Sequence, residues 1–371
     1  MKSTTGRCIS WLPLAVRSAT FRPSQTISDT AAFSVVMKVI ETLTVLTFIT
    51  WSIGLVDAAT AQPLRAGERE ARVTAIANVI AADAKWELVW AGFETADGIV
   101  GTPDGGLLFA QEQTDTVRKL DAKGREFVYV TDTHGAGALS LDARGRLFAV
   151  QRACTDPGKP FAASCRELTA IAILAPERRL LANAFPDGKP LGRLNDVIAD
   201  GKGGAYFTVG GAYYVNPDGI ISTVADQDIR SNGIMLNADG TTLYVTNNTN
   251  VLAFDVTADG STKNRREFGG LAGDSGADGM AIDSAGRLYV TASAGVHVLS
   301  PEGKDLGLIP TPRPPITVAF SGADKKTLYV AQLGVVGPDG QPWKTPQGVR
   351  NTAMSIYTIR MLAEGFKGRP K

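Results

Sequence analysis

Short apolar segments alternate with polar turns along most of the chain, and six pairs of these segments share one pattern. In each pair an apolar segment is followed by a polar turn and then by a second apolar segment, often of the form LYVT. The six pairs read DGIVGTPDGGLLFAQE, GALSLDARGRLFAVQ, NDVIADGKGGAYFTV, NGIMLNADGTTLYVT, DGMAIDSAGRLYVTA and TVAFSGADKKTLYVA. Short segments rich in β-branched and aromatic residues, separated by Asp and Gly, predict antiparallel pairs of β-strands.

Further strands follow most of these pairs and complete a larger repeat. A third strand is predicted in TVRKLDAKG, AYYVNPDG, VLAFDVTADG and GVHVLSPEG, and a fourth in segments such as REFVYV and IISTVAD. The repeats start about 37 to 58 residues apart. Recurring units of four short antiparallel strands are typical of propeller blades. The sequence therefore predicts an all-β fold, a six-bladed β-propeller with four antiparallel strands per blade and a central channel.

The limits of the propeller are also predicted. We expect it to occupy residues 87–366, with ELVWAGF at 87–93 pairing with SIYTIRML as the outer strand that closes the ring. A lead-in over residues 62–86 precedes it, and one amphipathic stretch there, at about 68–83, predicts a helix. Residues 367–371 form a short tail.

The first part of the chain lacks the repeat and has the character of a targeting segment. From Met37, a lysine is followed by an apolar run over residues 43–56 and then by small residues around Ala61, the order found in cleaved secretory signals. We expect residues 37–61 to be a signal peptide, residues 1–36 to be an extension ahead of the true start, and the mature protein to be periplasmic or secreted. A membrane anchor is the alternative, but the apolar run is shorter than the roughly 20 residues that span a bilayer.

Charge and cysteine content narrow the expected partners. The formal net charge is +1, so neither nucleic acid nor, once the signal is cleaved, a membrane surface is an expected partner. Cys154 and Cys165 are the two cysteines that follow the signal, and an oxidising compartment would permit a disulfide between them. Two unlinked thiols are the alternative. Metal binding by this pair alone is not expected, because no nearby His or Cys completes a ligand set.

The residues that begin the six repeats should form one ring, because the first strand of each propeller blade lines the channel. These residues are Asp97, Gly137, Asn195, Asn232, Asp278 and Thr317. Four of them carry a carboxylate or amide oxygen, and hard oxygen donors that converge on an axis suit Ca2+. Zn2+ would be expected to recruit His or Cys, although Zn2+, Mg2+ and Mn2+ stay as alternatives. Each residue taken singly could instead be a turn former, and the Gly or Asp after each of the four would let the backbone bend sharply.

At these positions the sequence resembles the family of senescence marker protein, gluconolactonase and luciferin-regenerating enzyme, which are calcium-dependent six-bladed propellers. The resemblance covers about residues 90–335 and rests on RLNDVIADGKGGAYFT, SNGIMLNADGTTLYVTN, GADGMAIDSAGRLYV and VAFSGADKKTLYVA. It implies that Asn232 and Asp278 are metal ligands. It also implies that Asn195, together with Arg193 in GRLND, belongs to the stretch that contacts metal and substrate.

Two positions depart from the family pattern. The family's first ligand is a Glu in an EGP-like motif, and Asp97 in ADGIV stands at the matching position, one methylene shorter. This change would alter the reach of the carboxylate and could shift the ion or admit a water. The segment GGAYFTVGG lacks the acidic residue that some members use for the substrate, which leaves the specificity for sugar lactones open.

The ring and the resemblance together predict a metal-dependent lactone hydrolase, in which the metal polarises the carbonyl for attack by water. The predicted metal ligands are Asp97, Asn195, Asn232 and Asp278, and the predicted substrate contacts are Arg193, Asn195 and His134. Asp278, or alternatively His134 in the loop TDTHGAGALS, would accept a proton from the water. A phosphotriesterase that uses the same site is one alternative. A non-catalytic exported propeller that binds a ligand or a protein is the other.

Overall fold

A computed structural model describes residues 64–153, 169–336, 341 and 354–368, and every structural statement below concerns these residues. Within them, 24 strands form six antiparallel sheets of four strands each. The predicted all-β six-bladed propeller is confirmed. The predicted signal peptide and the cysteine pair lie outside the described residues.

The blades follow one another along the chain, each running from an inner strand to an outer strand. Blade one contains β2 (Ile99–Gly101), β3 (Leu107–Gln111), β4 (Thr116–Leu120) and β5 (Glu126–Val130). Blade two contains β6 (Ala136–Leu141), β7 (Leu147–Gln151), β8 (Ala170–Ala175) and β9 (Arg179–Ala182). Blade three contains β10 (Val197–Ala199), β11 (Ala205–Thr208), β12 (Ala212–Val215) and β13 (Ile221–Ala225).

The second half of the ring repeats this order. Blade four contains β14 (Ile234–Leu236), β15 (Thr242–Asn247), β16 (Asn250–Val256) and β17 (Thr262–Gly270). Blade five contains β18 (Met280–Ile282), β19 (Leu288–Ala292), β20 (Gly295–Leu299) and β21 (Asp305–Pro310). Blade six contains β22 (Pro315–Ser321), β23 (Thr327–Leu333), β24 (Met354–Arg360) and, as its outer strand, β1 (Trp86–Gly92).

The ring is closed by a strand from the beginning of the chain. Strand β1 pairs antiparallel with β24, from Trp86 opposite Ile359 to Gly92 opposite Met354. The prediction that the segment near residue 87 completes the last blade is therefore confirmed. Inner strand β2 of blade one also packs against β22 of blade six, so the first and last blades are neighbours around the axis.

Hydrophobic burial is concentrated between neighbouring blades. The inner strands β2, β10, β14 and β18 are buried at every position, because both faces of each sheet are covered by the adjacent sheets. The outer strands β1 and β5 are instead alternately or largely exposed. Apolar side chains thus form a ring of interfaces that holds the inner strands around the channel.

The lead-in is not a helix, and that prediction is wrong. Ile76 and Ile80 form an isolated antiparallel bridge around a tight turn, in which Asn78 has a φ of 59°. Val73, Ile76, Val79 and Ile80 are all buried against blades five and six. Tertiary packing of these four side chains outweighs the helical spacing that the sequence suggested. In the described part of the chain, no helix is long and apolar enough to cross a membrane.

Candidate active site in the central channel

Four polar members of the predicted ring lie at the same end of the inner strands. Asp97, Asn195, Asn232 and Asp278 each stand two residues before an inner strand, and all four are half-buried. The backbone N–H groups of Asn195 and Asp278 donate to the carbonyl oxygens of Thr208 and Thr291 on the second strands of their blades, at 2.8 and 2.9 Å. Each of these two residues is thus held at the mouth of the channel by its own blade.

The glycines next to these residues allow the inner strands to approach one another closely. A methyl group at Gly98 would lie 2.4 Å from Ala138 Cα, and one at Gly233 would lie 2.0 Å from the carbonyl oxygen of Asp278. A methyl group at Gly279 would lie 2.8 Å from Thr317 Cα. The sequence suggested that these glycines serve a backbone bend, but none has a positive φ. They are required because no side chain fits at these three positions, where the adjacent blade comes too close.

Asp278 is the centre of a buried acidic group. Burial raises its pKa well above the ordinary value, and the charges of Asp97 and Asp196 raise it further. Arg152 and a side-chain hydrogen bond from Asn232 act in the opposite direction. The structure therefore brings Asp97, Asn232 and Asp278 into one electrostatic group, as their shared position in the repeat predicted.

Asp196, the fourth polar residue of this group, supports the backbone. Its Oδ1 accepts the N–H of Val197 at 2.8 Å, and its Oδ2 accepts the N–H of Ile234 at 3.1 Å. The side chain thus joins the inner strands of blades three and four. It adds negative charge beside Asp278 while both of its oxygens accept bonds from the main chain.

Asp97 is paired with an arginine that the sequence reasoning did not find. Its Oδ2 lies 2.6 Å from Nη1 of Arg152, whose side chain is only 2% exposed. Burial raises the pKa of Asp97, and the Arg152 charge lowers it against that effect. For Arg152, burial alone would lower the pKa, but the charges of Glu112 and Asp97 raise it above the usual value. The guanidinium is therefore held charged inside the channel wall.

Arg152 makes four contacts across the channel mouth. Besides its bond to Asp97, its Nη1 donates to Glu112 Oε1, its Nε donates to the carbonyl oxygen of Leu194 at 2.7 Å, and its Nη2 donates to that of Asn195. A signal for this residue existed in the repeat. Glu112 and Arg152 occupy the same repeat position in blades one and two, where blades three to six have Gly210, Asn248, Ser293 and Gln332.

The remaining predicted substrate contacts lie at different depths. Arg193 is 40% exposed, and its Nη2 lies 3.8 Å from Glu112 Oε2, so it stands at the outer edge of the buried group. Asn195 is joined to that group through its carbonyl oxygen. His134 is exposed in a turn with a φ of 51°, whereas Thr133 before it is fully buried.

The donor set fits a hard divalent cation. Asp97 and Asp278 are two carboxylates whose raised pKa values reflect the cost of holding negative charge in a buried place, and a cation would remove that cost. The described residues contain no group of three or more His, Cys, Asp or Glu placed to hold a metal. A cation here would therefore depend on amide, backbone or water oxygens as well, which is the chemistry that Ca2+ accepts.

A closed six-bladed propeller with an acidic, oxygen-lined channel is the class that fold and site define together. Residues 128–333, just over half of the chain, match the family described as SMP-30/Gluconolactonase/LRE-like region. The chain belongs to this family, and the resemblance stated from the ring residues is confirmed.

Individual relatives match over shorter stretches. A gluconolactonase of Zymomonas mobilis is 29% identical over a 176-residue alignment, which covers 39% of this chain and 49% of that protein. The lactonase drp35 of Staphylococcus saprophyticus is 36% identical over a 201-residue alignment, which covers 47% of this chain and 57% of that protein. The chain thus spans about half the length of the curated relatives it matches. A gluconolactonase structure from Xanthomonas campestris shares the fold with a TM-score of 0.61 and 21% identity, over 81% of this chain and 97% of that one.

Proposed function

We propose that this protein is a metal-dependent lactonase whose active site is the channel mouth around Asp278. The observation that carries the proposal is the buried group of Asp97, Asn232 and Asp278, in which two carboxylates and an amide interact with one another. Membership of the family and the names of its matched relatives support lactones as the substrate class. Calcium is the proposed ion, because the ring offers oxygen donors and neither His nor Cys.

Each side chain has a proposed part in the reaction. Asp97, Asn232 and Asp278 would hold the cation, which would supply a Lewis acid for the lactone carbonyl and the oxyanion that follows. Asp278 is also the proposed proton acceptor, because it is a carboxylate at the centre of the buried group. Arg193, exposed at the edge of the group, would bind substrate oxygens through its planar fork. His134 is the weaker candidate for the proton because its side chain is exposed in a turn.

The proposed place of action is the periplasm or the exterior. This proposal rests on the order of charged, apolar and small residues in segment 37–61. Expression of the full chain followed by N-terminal sequencing of the exported product tests it. A product that begins near Gln62 supports export, and a full-length product that stays in the cytoplasm contradicts it.

A lactone panel with and without metal tests the function itself. Metal-free protein is assayed by acid release on aldonolactones, aryl esters and an organophosphate triester, before and after Ca2+ is added. We expect lactone hydrolysis only with metal and its loss in Asp278→Asn. The matched control is Arg146→Ala, which removes a guanidinium paired with Asp142 at the end of blade two that is farther from the channel mouth.

Three results would contradict this assignment in different ways. Turnover that persists without metal would exclude the metal-dependent mechanism. Triester cleavage without lactone hydrolysis would point to the phosphotriesterase. The absence of hydrolysis on every substrate, together with thermal stabilisation by Ca2+, would favour a non-catalytic propeller that binds a ligand or a protein.

A further inference from the structure

The ring of channel residues lacks a side chain at blade two, and an arginine from the next strand fills that place. Gly137 is the ring member of that blade and contributes no side chain. A methyl group there would lie 2.2 Å from Cζ and 2.3 Å from Nε of Arg152, so the guanidinium occupies this space. Gly137 and Arg152 thus belong together. Gly137 on the first strand has no side chain, and the side chain of Arg152 at the end of the second strand takes its place.

Arg152 joins the two blades that flank its own. From blade one it binds the carboxylates of Asp97 and Glu112. From the segment that leads into blade three it binds the carbonyl oxygens of Leu194 and Asn195. A guanidinium can do this because its donors lie in one plane and point in different directions, whereas a lysine ammonium is a compact charge on a flexible stem.

The residues held in this way are those assigned to metal and substrate. Asp97 is a proposed ligand, and Asn195 is a proposed ligand or substrate contact. Glu112, the other partner of the guanidinium, lies 3.8 Å from Arg193, the proposed substrate-binding arginine. Loss of the guanidinium would leave two carboxylates without their main counter-charge and two carbonyl oxygens without their donor.

We propose that Arg152 is a positioning residue of the active site, which orients Asp97 toward the channel axis and fixes the Arg193–Asn195 segment beside it. It does not need to touch the substrate, because it acts through these residues. The inference rests on the proposed function for the identity of the reaction. Calcium binding can be measured without knowing the reaction, and it depends on the same geometry.

The test removes the guanidinium and then returns it. Arg152→Ala should lower kcat and calcium affinity about 10- to 100-fold, the range found when partners that orient metal ligands are lost. Guanidinium chloride, at concentrations well below those that denature the protein, should restore a large part of both, because the space beside Gly137 fits that ion. Sodium chloride at equal ionic strength should not. Arg146 lies in the same blade but pairs with Asp142 at the turn between β6 and β7. Arg146→Ala should therefore show neither the loss nor the rescue.

A second variant covers the case in which Arg152→Ala fails to fold. Arg152→Lys keeps the positive charge beside Asp97 and Glu112 but cannot reach both flanking blades, so it should fold with reduced kcat and weaker calcium binding. Wild-type values for both quantities in Arg152→Lys would overturn the inference. So would an Arg152→Ala protein that loses only thermal stability while kcat and calcium affinity stay unchanged.

The outcomes separate this inference from the proposed function. A wild-type protein that binds calcium and hydrolyses no lactone would defeat the lactonase proposal. Calcium titration of the Arg152 variants by isothermal calorimetry would still decide the role of Arg152. A wild-type lactonase whose calcium affinity does not depend on Arg152 would defeat the positioning role alone.

Discussion

Two aspartates of the same ring have raised pKa values but differ in their closest partners. Asp97, on the side of blades one to three, is paired at 2.6 Å with the buried guanidinium of Arg152. Asp278, across the channel, receives a hydrogen bond from the amide of Asn232 and feels the charges of two further aspartates. The negative charge of the ring is thus partly neutralised beside Asp97 by the Arg152 guanidinium, whereas the surroundings of Asp278 stay acidic. A bound metal would act mainly on the side of Asp278.

The largest effect is therefore expected at Asp278. Asp278→Asn should weaken calcium binding by more than about 100-fold, whereas Asp97→Asn should weaken it about 10-fold, because part of the Asp97 charge already serves Arg152. Calorimetric titration of the two metal-free variants measures both. Equal losses in the two variants would mean that the two sides of the ring contribute alike.

The same pair of variants should differ in stability without metal. Asp278→Asn should raise the melting temperature of the metal-free protein at neutral pH, because it removes a buried carboxylate whose pKa is raised. Asp97→Asn should raise it less, because the pKa of Asp97 is also raised but Arg152 loses a charged partner. Thermal denaturation in metal-free buffer measures both changes, and a lower melting temperature for Asp278→Asn would contradict the comparison.

The space beside Gly137 gives the next largest effect. Gly137→Ala should destabilise the protein by about 1–3 kcal/mol, the usual cost of overpacking, because four contacts hold the guanidinium in place. In an Arg152→Ala background the same change should cost much less. Denaturant unfolding of the four proteins measures this coupling. Gly270→Ala is the matched control, since a methyl group there meets nothing within 4 Å, and it should cost the same in both backgrounds.

Acidity should change how strongly calcium stabilises the fold. The pKa of Asp278 is raised, so as the pH rises above 3.8 the unfolded chain loses this proton before the folded protein does. The contribution of Asp278 to the stability of the metal-free protein is therefore greatest below that pH. This contribution falls as the pH rises toward the folded-state pKa, by about 1.4 kcal/mol for each pH unit between the two pKa values. Calcium should therefore raise the melting temperature more at pH 8 than at pH 5. Asp278→Asn should reduce this difference between pH 8 and pH 5. If calcium raises the melting temperature more at pH 5 than at pH 8, the predicted direction of the pH dependence is wrong.

The smallest effect is expected at His134. Its side chain is exposed in a turn, outside the buried group, so His134→Ala should leave kcat within about twofold of the wild-type value. Steady-state kinetics on the best lactone of the panel measures this. A loss of about 100-fold or more, the scale of general acid–base catalysis, would move the proton acceptor from Asp278 to His134.

The ring could be predicted because repeat position translates directly into geometry. Residues at one phase of a propeller repeat meet at one axis, so Asp97, Asn232 and Asp278 could be grouped although they are far apart in sequence. The closing strand was equally accessible, since an apolar segment near residue 87 stands outside the six pairs and blade six needs a fourth strand.

Two features could not be derived from the same pattern. The lead-in has helical spacing, but its conformation is decided by packing against blades five and six, which exists only after folding. The repeat places a charged residue at position 152 but does not show its role, because Gly137 is a ring position without a donor. The reason for that glycine is a side chain from the end of the neighbouring strand, and only packing reveals it.

The sharing of blade six between β1 and β24 bears on how the molecule is made. During synthesis the first strand of the sheet emerges long before its partner, so the circle cannot be joined until almost the whole polypeptide has left the ribosome. Contacts this distant in sequence also favour slow folding. The export proposed above would benefit from such a delay, because a propeller that is not yet closed is easier to keep unfolded for transport across a membrane.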